Sequence, residues 1–246
     1  MSRPRLWCIV PAAGSGTRMG PLDGRQVPKQ YLPLAGRPML VWTLEALATA
    51  APAAILLMVA PQDRFELDAG MLPASLERIA DGGASRAETV MAGLRALAGR
   101  AAPDDPVLVH DAARPCLAPE LLGRLIETLA ADPDGGLLAL PVVDTIKAAG
   151  GEPPRVAATR DRAGLWLAQT PQLFPYARLY RALDRALATG AAVTDEASAV
   201  ELDGGRPRLV AGSVANLKVT HPADRALAEF WLARQGRAPE GETPLS

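Results

Sequence analysis

Cysteine, aromatic residues and long hydrophobic runs are all scarce in this chain. Its 246 residues include two cysteines, Cys8 and Cys116, too few for a disulfide framework or a cysteine-rich zinc site. The longest apolar runs, at 50–60 and 135–143, fall short of the roughly 20 residues that span a bilayer. We therefore expect a protein of the reducing cytoplasm with no membrane partner.

An excess of charge of one sign is also missing. Lysine and arginine total 26 and aspartate and glutamate total 27, which leaves a net charge of -1. Binding to nucleic acid or to an anionic membrane surface depends on a concentrated positive charge. We expect no nucleic-acid partner.

Short aliphatic runs alternate with longer helical patterns along most of the chain. This alternation is typical of an α/β fold, a Rossmann-like and mostly parallel sheet sandwiched by helices. The predicted strands are 6–11, 54–60, 106–110 and 136–143, and the predicted helices are 38–50, 86–98, 119–131, 176–188 and 222–234.

The stretch 148–163 interrupts this alternation. Its centre, 150–154, has the turn sequence G-G-E-P-P between two polar segments, which predicts a protruding β-hairpin arm. Neither a linker nor an internal repeat is visible. We expect one domain over 1–236 that includes the arm at about 144–163, followed by a flexible tail at 237–246.

The first predicted strand leads directly into a loop of small residues. The residues of interest are the small Ala12, Ala13, Gly14, Ser15 and Gly16, followed by the cation Arg18. Such a loop at the carboxyl edge of a parallel sheet lets backbone N–H groups approach an anion, and a guanidinium suits phosphate oxygens. The spacing G-x-G-x-x-x-G is neither the dinucleotide fingerprint nor a P-loop, so neither a dehydrogenase nor a P-loop kinase is indicated. A merely tight turn remains the alternative.

A second motif, P-K-Q-Y at 28–31, places Lys29 within reach of that loop. An isolated lysine is usually a solvated surface charge. Here it would be the second cation, after Arg18, to converge on one anionic site.

Taken in order, the motifs of the chain resemble the 2-C-methyl-D-erythritol 4-phosphate cytidylyltransferase family. They are P-A-A-G-x-G-x-R-M at 11–19, P-K-Q-Y at 28–31, G-G-A-S-R at 82–86, H-D-A-A-R-P at 110–115, T-D-E-A-S at 194–198 and N-L-K-V-T at 216–220. The likeness extends from about Cys8 to Trp231. It implies the nucleotidyltransferase fold, a homodimer, and CTP and methylerythritol phosphate as substrates with Mg²⁺ as cofactor.

By this resemblance, Arg18, Lys29 and Lys218 are the catalytic residues, because they would hold the phosphates of CTP and the charge that develops during transfer. The attacking phosphate is already ionised, so no catalytic histidine is required. The two histidines lack metal-ligand spacing, and we expect no protein metal site.

The resemblance also assigns recognition of the cytosine base. In addition to the loop 12–16, the expected residues are Gly82, Ser85 and Thr89, whose backbone groups and hydroxyls would face the base edge. The family usually has serine at the position of Thr89. An ordinary helix N-terminus is the structural alternative.

Binding of the acceptor is the last assignment that the resemblance carries. Asp111, Arg114 and Thr194 would contact methylerythritol phosphate, and Thr145 and Arg162 of the arm would reach the acceptor of the neighbouring subunit. The motif 170–172 is expected nearby. The alternatives are an internal salt bridge for Asp111 and Arg114 and a solvent-exposed hairpin for the arm.

One feature departs from the family pattern. The loop 20–27 is longer than usual, and Arg25 within it is either a further phosphate contact or a solvated residue. Two other functions remain open: a cytidylyltransferase for ribitol phosphate or another polyol phosphate, and a nucleotide-binding protein without catalysis. A panel of acceptors separates them.

Overall fold

The computed structural model describes residues 4–14 and 27–238, which form an α/β fold built on a seven-stranded sheet. The strands are β1 (Trp7–Pro11), β2 (Pro33–Leu34), β3 (Arg37–Pro38), β4 (Ala54–Met58), β5 (Leu76–Ile79), β6 (Pro106–Val109), β7 (Gly136–Pro141), β8 (Ile146–Gly150), β9 (Arg155–Arg160), β10 (Trp166–Pro175) and β11 (Arg208–Ala211). The helices are α1 (Met39–Ala48), α2 (Arg86–Ala96), α3 (Pro119–Leu129), α4 (Tyr176–Ala188), α5 (Glu196–Leu202) and α6 (Asp224–Arg234).

The sheet is mostly parallel, as predicted. Its strand order is β11-β7-β10-β6-β1-β4-β5. Strands β4, β1 and β6 run parallel, and so do β7 and β11, whereas β10 is antiparallel to both of its neighbours. The carboxyl ends of β1, β4 and β6 therefore meet at one edge, which is where ligands bind in open α/β sheets.

Helices cover both faces of the sheet. Along β1, Cys8 and Val10 pack on the face covered by α1 and α3, and Trp7 and Ile9 pack on the face covered by α2, α4 and α5. All four side chains are buried. This two-sided burial explains why β1 reads as a continuous apolar run rather than an alternating one.

The loops at the functional edge are fixed by backbone hydrogen bonds. The amide of Ala12 donates to Met58 O at 2.8 Å, and the amide of Gly82 donates to Val59 O at 2.8 Å. The amide of His110 donates to Ile9 O at 3.0 Å. Three segments that are remote in sequence are thereby held side by side.

The predicted β-hairpin is present. Strands β8 and β9 pair antiparallel, from Ile146 opposite Arg160 to Gly150 opposite Arg155. They form a separate two-stranded sheet, and most of their side chains are exposed. The preceding strand β7 ends at Pro141 instead of Val143, so an irregular segment leads into the arm.

The carboxyl-terminal helix α6 packs behind the loop that follows β6. Ala228 and Leu232 of α6 are buried with Ala113 and Cys116 of that loop. Arg237 donates to the backbone carbonyl of Pro115 at 2.8 Å. Residues 239–246, most of the predicted tail, lie outside the described residues, and the single-domain organisation stays a prediction.

No helix among residues 4–14 and 27–238 has the length and apolar character needed to cross a membrane.

Candidate active site

A cleft of about 260 Å³ opens at the carboxyl edge of β1 and β6. Loops after β1 and β6, the start of α2 and the segment before α6 surround it. Its lining residues are Pro11, Ala12, Ala13, Gly14, Lys29, Gln30, Gly83, Ala84, Ser85, Arg86, Thr89, Asp111, Ala112, Ala113, Lys218 and Thr220.

The described cleft wall has a positive charge. Three cations, Lys29, Arg86 and Lys218, line it together with one carboxylate, Asp111. The chain as a whole has a net charge of -1, so the positive charge is concentrated locally. Such a cleft attracts a multiply charged anion.

The loop after β1 contributes Ala12, Ala13 and Gly14 to the cleft. The side chain of Gln30 donates from Nε2 to Ala12 O at 2.9 Å and is itself buried. The predicted residues Ser15, Gly16 and Arg18, and most of the long loop 20–27 with Arg25, lie outside the described residues.

Lys29 and Lys218 reach the cleft from neighbouring segments. Lys29 begins a short 3-10 helix, Lys29–Tyr31, and its Nζ donates to Val219 O at 3.0 Å. Lys218 is the residue before Val219, and its Nζ lies 2.8 Å from Asp111 Oδ2. The two lysines, remote in sequence, therefore share one wall of the cleft.

The start of α2 contributes Ser85, Arg86 and Thr89 to the cleft. Ser85 is the N-cap, and its hydroxyl accepts from the amide of Glu88 in a capping box. Thr89 donates its hydroxyl hydrogen to Ser85 O at 2.9 Å, so toward a ligand its oxygen can only accept. Both hydroxyls thus stabilise the helix end while they border the cleft.

Gly82 packs against the loop after β1 and the residue after β4. A Cβ atom at Gly82 would be 2.4 Å from Ala13 Cβ and 2.8 Å from Val59 O. These separations are shorter than contact distances, so the close approach of the two loops requires glycine.

Asp111 follows β6 and is surrounded by cations. Its Oδ1 lies 3.1 Å from Arg86 Nε, and its Oδ2 lies 3.7 Å from Arg114 Nε in addition to the Lys218 contact. Burial opposes ionisation, but the charges of Arg86, Lys218 and Arg114 outweigh it and hold the pKa of Asp111 well below its usual range. Asp111 is an internal ion-pair partner that also borders the cleft.

His110 holds the Asp111 loop from behind. Its Nε2 lies 3.1 Å from Arg114 O, a carbonyl that can only accept, so Nε2 carries the hydrogen. Nδ1 then accepts from the Thr170 hydroxyl at 3.0 Å, and Thr170 Oγ1 accepts from the amide of Asp111 at 3.0 Å. Burial lowers the pKa of His110 to about 4, which keeps it neutral near pH 7.

Arg114 supports the same loop from within the protein. Its side chain is mostly buried, and its Nη1 donates to Asn216 O at 2.7 Å. Asn216 in turn donates from Nδ2 to Thr170 O at 2.8 Å. Burial lowers the pKa of Arg114. Arg114 thereby ties the loop after β6 to β10 and to the Lys218 segment.

The three remaining predicted residues lie apart from this cleft. Thr145 and Arg162 are exposed at the base of the arm, where Arg162 donates to Val143 O. Thr194 is exposed beside an adjacent recess of about 240 Å³ that shares Ser85 and Arg86 with the cleft. None of the three lines the cleft within the described chain, and neither do the predicted residues Gly82 and Arg114.

Sequence reasoning missed four residues at the site: Gln30, Arg86, Glu196 and Thr220. Arg86 binds the buried Glu196 through both terminal nitrogens, at 2.6 and 3.0 Å. Both residues lie inside motifs quoted above, and each directly follows a helix N-cap. Their position directly after a helix N-cap could have marked them as candidates. Nothing in the sequence indicates that they pair with each other across 110 positions.

Among the described residues, no group of three or more histidine, cysteine, aspartate or glutamate side chains is arranged to hold a metal ion. Asp111 is the one carboxylate among the residues that line the cleft.

Comparison with known proteins gives a consistent result. Residues 6–234 match the family model for 2-C-methyl-D-erythritol 4-phosphate cytidylyltransferase. The protein of that name from Dechloromonas aromatica (strain RCB) is 52% identical over 233 residues, 93% of this chain and 98% of the relative. The one from Laribacter hongkongensis (strain HLHK9) is 54% identical over 234 residues, 93% and 96%.

Solved structures agree with the sequence relatives. A crystal structure of 4-diphosphocytidyl-2C-methyl-D-erythritol synthase matches with a TM-score of 0.80 and 38% identity, and the match covers 94% of this chain and 100% of that one. The 2-C-methyl-D-erythritol 4-phosphate cytidylyltransferase of Thermus thermophilus matches with a TM-score of 0.75 and 33% identity, with 94% and 99% covered.

Proposed function

This chain belongs to the 2-C-methyl-D-erythritol 4-phosphate cytidylyltransferase family, and we propose that it performs the family reaction with the cations of the cleft described above. The enzyme transfers the cytidylyl group of CTP to 2-C-methyl-D-erythritol 4-phosphate in the isoprenoid pathway and releases pyrophosphate. The convergence of Lys29, Arg86 and Lys218 on one cleft supports the assignment of the site most strongly.

The triphosphate of CTP occupies the loop after β1 and the Lys29 wall in this proposal. Exposed backbone at 12–14 and the ammonium of Lys29 match an anion that needs several donors. Ser15, Gly16 and Arg18 continue the same loop and are proposed to complete the phosphate contacts.

The transfer joins two anions. A phosphate oxygen of the acceptor attacks the α-phosphorus in line, a new P–O bond forms, and the bond to the bridging oxygen breaks so that pyrophosphate leaves with the electron pair. Fixed cations stabilise the charge that gathers on the equatorial oxygens. We assign this role to Lys29 and Lys218, with Arg18 as the third cation.

Recognition of cytosine is proposed for the start of α2 and the loops beside it. Ala12 O and Gly82 offer backbone groups, and Ser85 and Thr89 offer hydroxyl oxygens. Thr89 Oγ1 acts as an acceptor because its hydrogen is donated to Ser85 O. An acceptor suits the exocyclic amine of cytosine and disfavours the carbonyl of uracil.

The acceptor is proposed to lie beside Asp111 and Arg114, with Thr194 at the far side. Thr145 and Arg162 lie outside this cleft and are exposed, which fits a homodimer in which each arm reaches the site of the other subunit. An arm of two exposed strands carrying exposed Val156 is compatible with such an interface.

Magnesium fits the site as an ion carried mainly by the triphosphate. Asp111 is a suitable oxygen donor, but each of its oxygens already faces a cation. Mg²⁺ commonly binds substrate phosphates with few carboxylates and several waters. It would neutralise part of the triphosphate charge, and we propose no direct protein ligand set. A cytoplasmic location is also proposed, because both cysteines are buried and unpaired.

Release of pyrophosphate by the purified protein tests the proposal. The assay contains Mg²⁺ and CTP with either methylerythritol phosphate or ribitol phosphate, and it is repeated with Lys29→Ala. Arg185→Ala, a change at an exposed cation on α4, is the matched control.

Release only with methylerythritol phosphate, lost in Lys29→Ala and kept in Arg185→Ala, is expected. Release only with ribitol phosphate would keep the chemistry and change the substrate. CTP binding without release with any acceptor would leave a nucleotide-binding protein.

A further inference from the structure

Glu196 is a buried carboxylate that touches the cleft through a single partner. It is the first residue of α5 and is 1% exposed. Its Oε1 accepts from Arg86 Nη1 at 2.6 Å, and its Oε2 accepts from Arg86 Nη2 at 3.0 Å. Both oxygens are therefore committed to one guanidinium in a bidentate pair.

The third donor of that guanidinium points in another direction. Arg86 Nε donates to Asp111 Oδ1 at 3.1 Å. The other oxygen of Asp111 lies 2.8 Å from Lys218 Nζ. Glu196, Arg86, Asp111 and Lys218 thus form a chain of alternating charges that ends at the lysine assigned to the phosphates.

We propose that Glu196 is a positioning residue for the transfer: it holds both terminal nitrogens of Arg86, so that Nε faces Asp111 Oδ1 and Oδ2 is left to Lys218. This inference rests on the function proposed for the cleft. Glu196 influences Asp111 and Lys218 through its contact with Arg86.

The planar shape of the guanidinium explains why this arrangement depends on Glu196. If Glu196 lost its charge, the two terminal nitrogens of Arg86 would lack their carboxylate. Asp111 is the nearest remaining carboxylate, and a fork-to-fork pair with it would occupy both oxygens. Lys218 Nζ would then lose the partner that fixes its position.

Glu196 itself is firmly held. The adjacent Asp195 caps α5, and its Oδ2 accepts from Gln172 Nε2 on β10 at 2.8 Å. Gln172 Oε1 accepts from the amide of Ala197 at 2.9 Å. The start of α5 is thereby attached to the sheet, which gives Arg86 a rigid anchor.

The test compares Glu196→Gln with a matched change elsewhere. Glutamine keeps the size of the side chain but places an amide donor against a guanidinium. The control is Glu77→Gln, because Glu77 on β5 also binds one guanidinium, that of Arg100, through both carboxylate oxygens at 2.7 and 2.8 Å, and it lines neither the cleft nor the adjacent recess.

Glu196→Gln is expected to lower kcat about 10- to 100-fold, the loss typical of a small misplacement of a catalytic group, and to leave the KM for CTP within about twofold. Glu77→Gln is expected to keep kcat within about twofold of the original value, because it leaves the cleft intact. A double variant, Arg86→Ala with Glu196→Gln, is expected to be no slower than Arg86→Ala alone, because Glu196 acts through Arg86.

Equal losses in Glu196→Gln and Glu77→Gln, or multiplied losses in the double variant, would overturn the proposal. If Glu196→Gln does not fold, Glu196→Asp replaces it. Its carboxylate is one methylene shorter and no longer reaches both terminal nitrogens of Arg86, so kcat is expected to fall, and a kcat equal to that of the unmodified enzyme would count against the proposal.

A readout independent of activity separates this inference from the proposed function. In ¹⁵N-labelled protein, the Arg86 Nε–H exchanges slowly with water if it is held as described, and it is expected to exchange rapidly in Glu196→Gln. Unchanged exchange overturns the positioning role. Absence of transfer in the unmodified enzyme, with slow exchange present, would refute the proposed function alone.

Discussion

Acidification should destabilise the protein through His110. This side chain is 0% exposed, donates to Arg114 O and accepts from the Thr170 hydroxyl. Protonation would require Nδ1 to become a donor opposite a hydroxyl that now donates to it, and it would place a second charge in an interior shielded from water. Burial accordingly lowers the pKa of His110 from 6.5 to about 4.

The sign and size of the effect follow from linkage. Because the folded pKa is lower than the unfolded one, the unfolded chain binds more protons between these values. The contribution to stability is complete above pH 6.5 and is lost as the pH falls toward 4. At pH 4.5 the loss amounts to about 2–3 kcal/mol.

The assay is urea unfolding of the original protein and of His110→Gln at pH 7 and pH 4.5, at one protein concentration. Glutamine can still donate to Arg114 O but does not titrate. We expect the free energy of unfolding to fall by about 2–3 kcal/mol more in the original protein than in the variant. Equal falls in the two proteins would refute the assignment of a buried neutral histidine.

Three further predictions concern the loop contact, the arm and the metal. Gly82→Ala forces a Cβ to within 2.4 Å of Ala13 Cβ and should reduce the free energy of unfolding by about 1–3 kcal/mol in urea titrations. Gly123→Ala is the control, because its new Cβ has open space. If Gly82→Ala were as stable as Gly123→Ala, the predicted clash would be refuted. If each arm acts in the site of the other subunit, mixing Lys29→Ala with Arg162→Ala subunits should restore about one quarter of the original pyrophosphate release, because one site of each mixed dimer has both residues intact. No recovery after subunit exchange would show that each arm serves the site of its own subunit. Chelation of Mg²⁺ should stop transfer without shifting the melting temperature, whereas a lowered melting temperature would reveal a metal held by the protein itself.

The parts of the fold that were predictable have strong hydrophobic runs. Strand β1 and helix α4 are recognisable because their apolar residues follow the periods of a buried strand and an amphipathic helix. Strand β10 was missed, because Gln169, Thr170 and Gln172 interrupt its apolar pattern. These side chains are buried with hydrogen-bond partners supplied by other segments, which a local pattern does not contain.

The same limit applies to the site. Lys29, Asp111 and Lys218 belong to recognisable motifs, and the structure brings them to one cleft. The pairing of Arg86 with Glu196 depends on the packing of α5 against α4 and β10, which brings together residues 110 positions apart. Only the folded chain reveals that contact.

Transfer of a labelled α-phosphate is the most direct test of the central assignment. The enzyme, in excess over CTP labelled with ³²P at the α-phosphorus, is mixed with Mg²⁺ and 2-C-methyl-D-erythritol 4-phosphate, and the products are separated by chromatography. We predict that the label moves from CTP to CDP-methylerythritol in a single turnover. Lys29→Ala and Lys218→Ala should each slow this step by about 2–4 kcal/mol of barrier. Label that remains in CTP with the unmodified enzyme, or that moves at the original rate in both variants, would contradict the account.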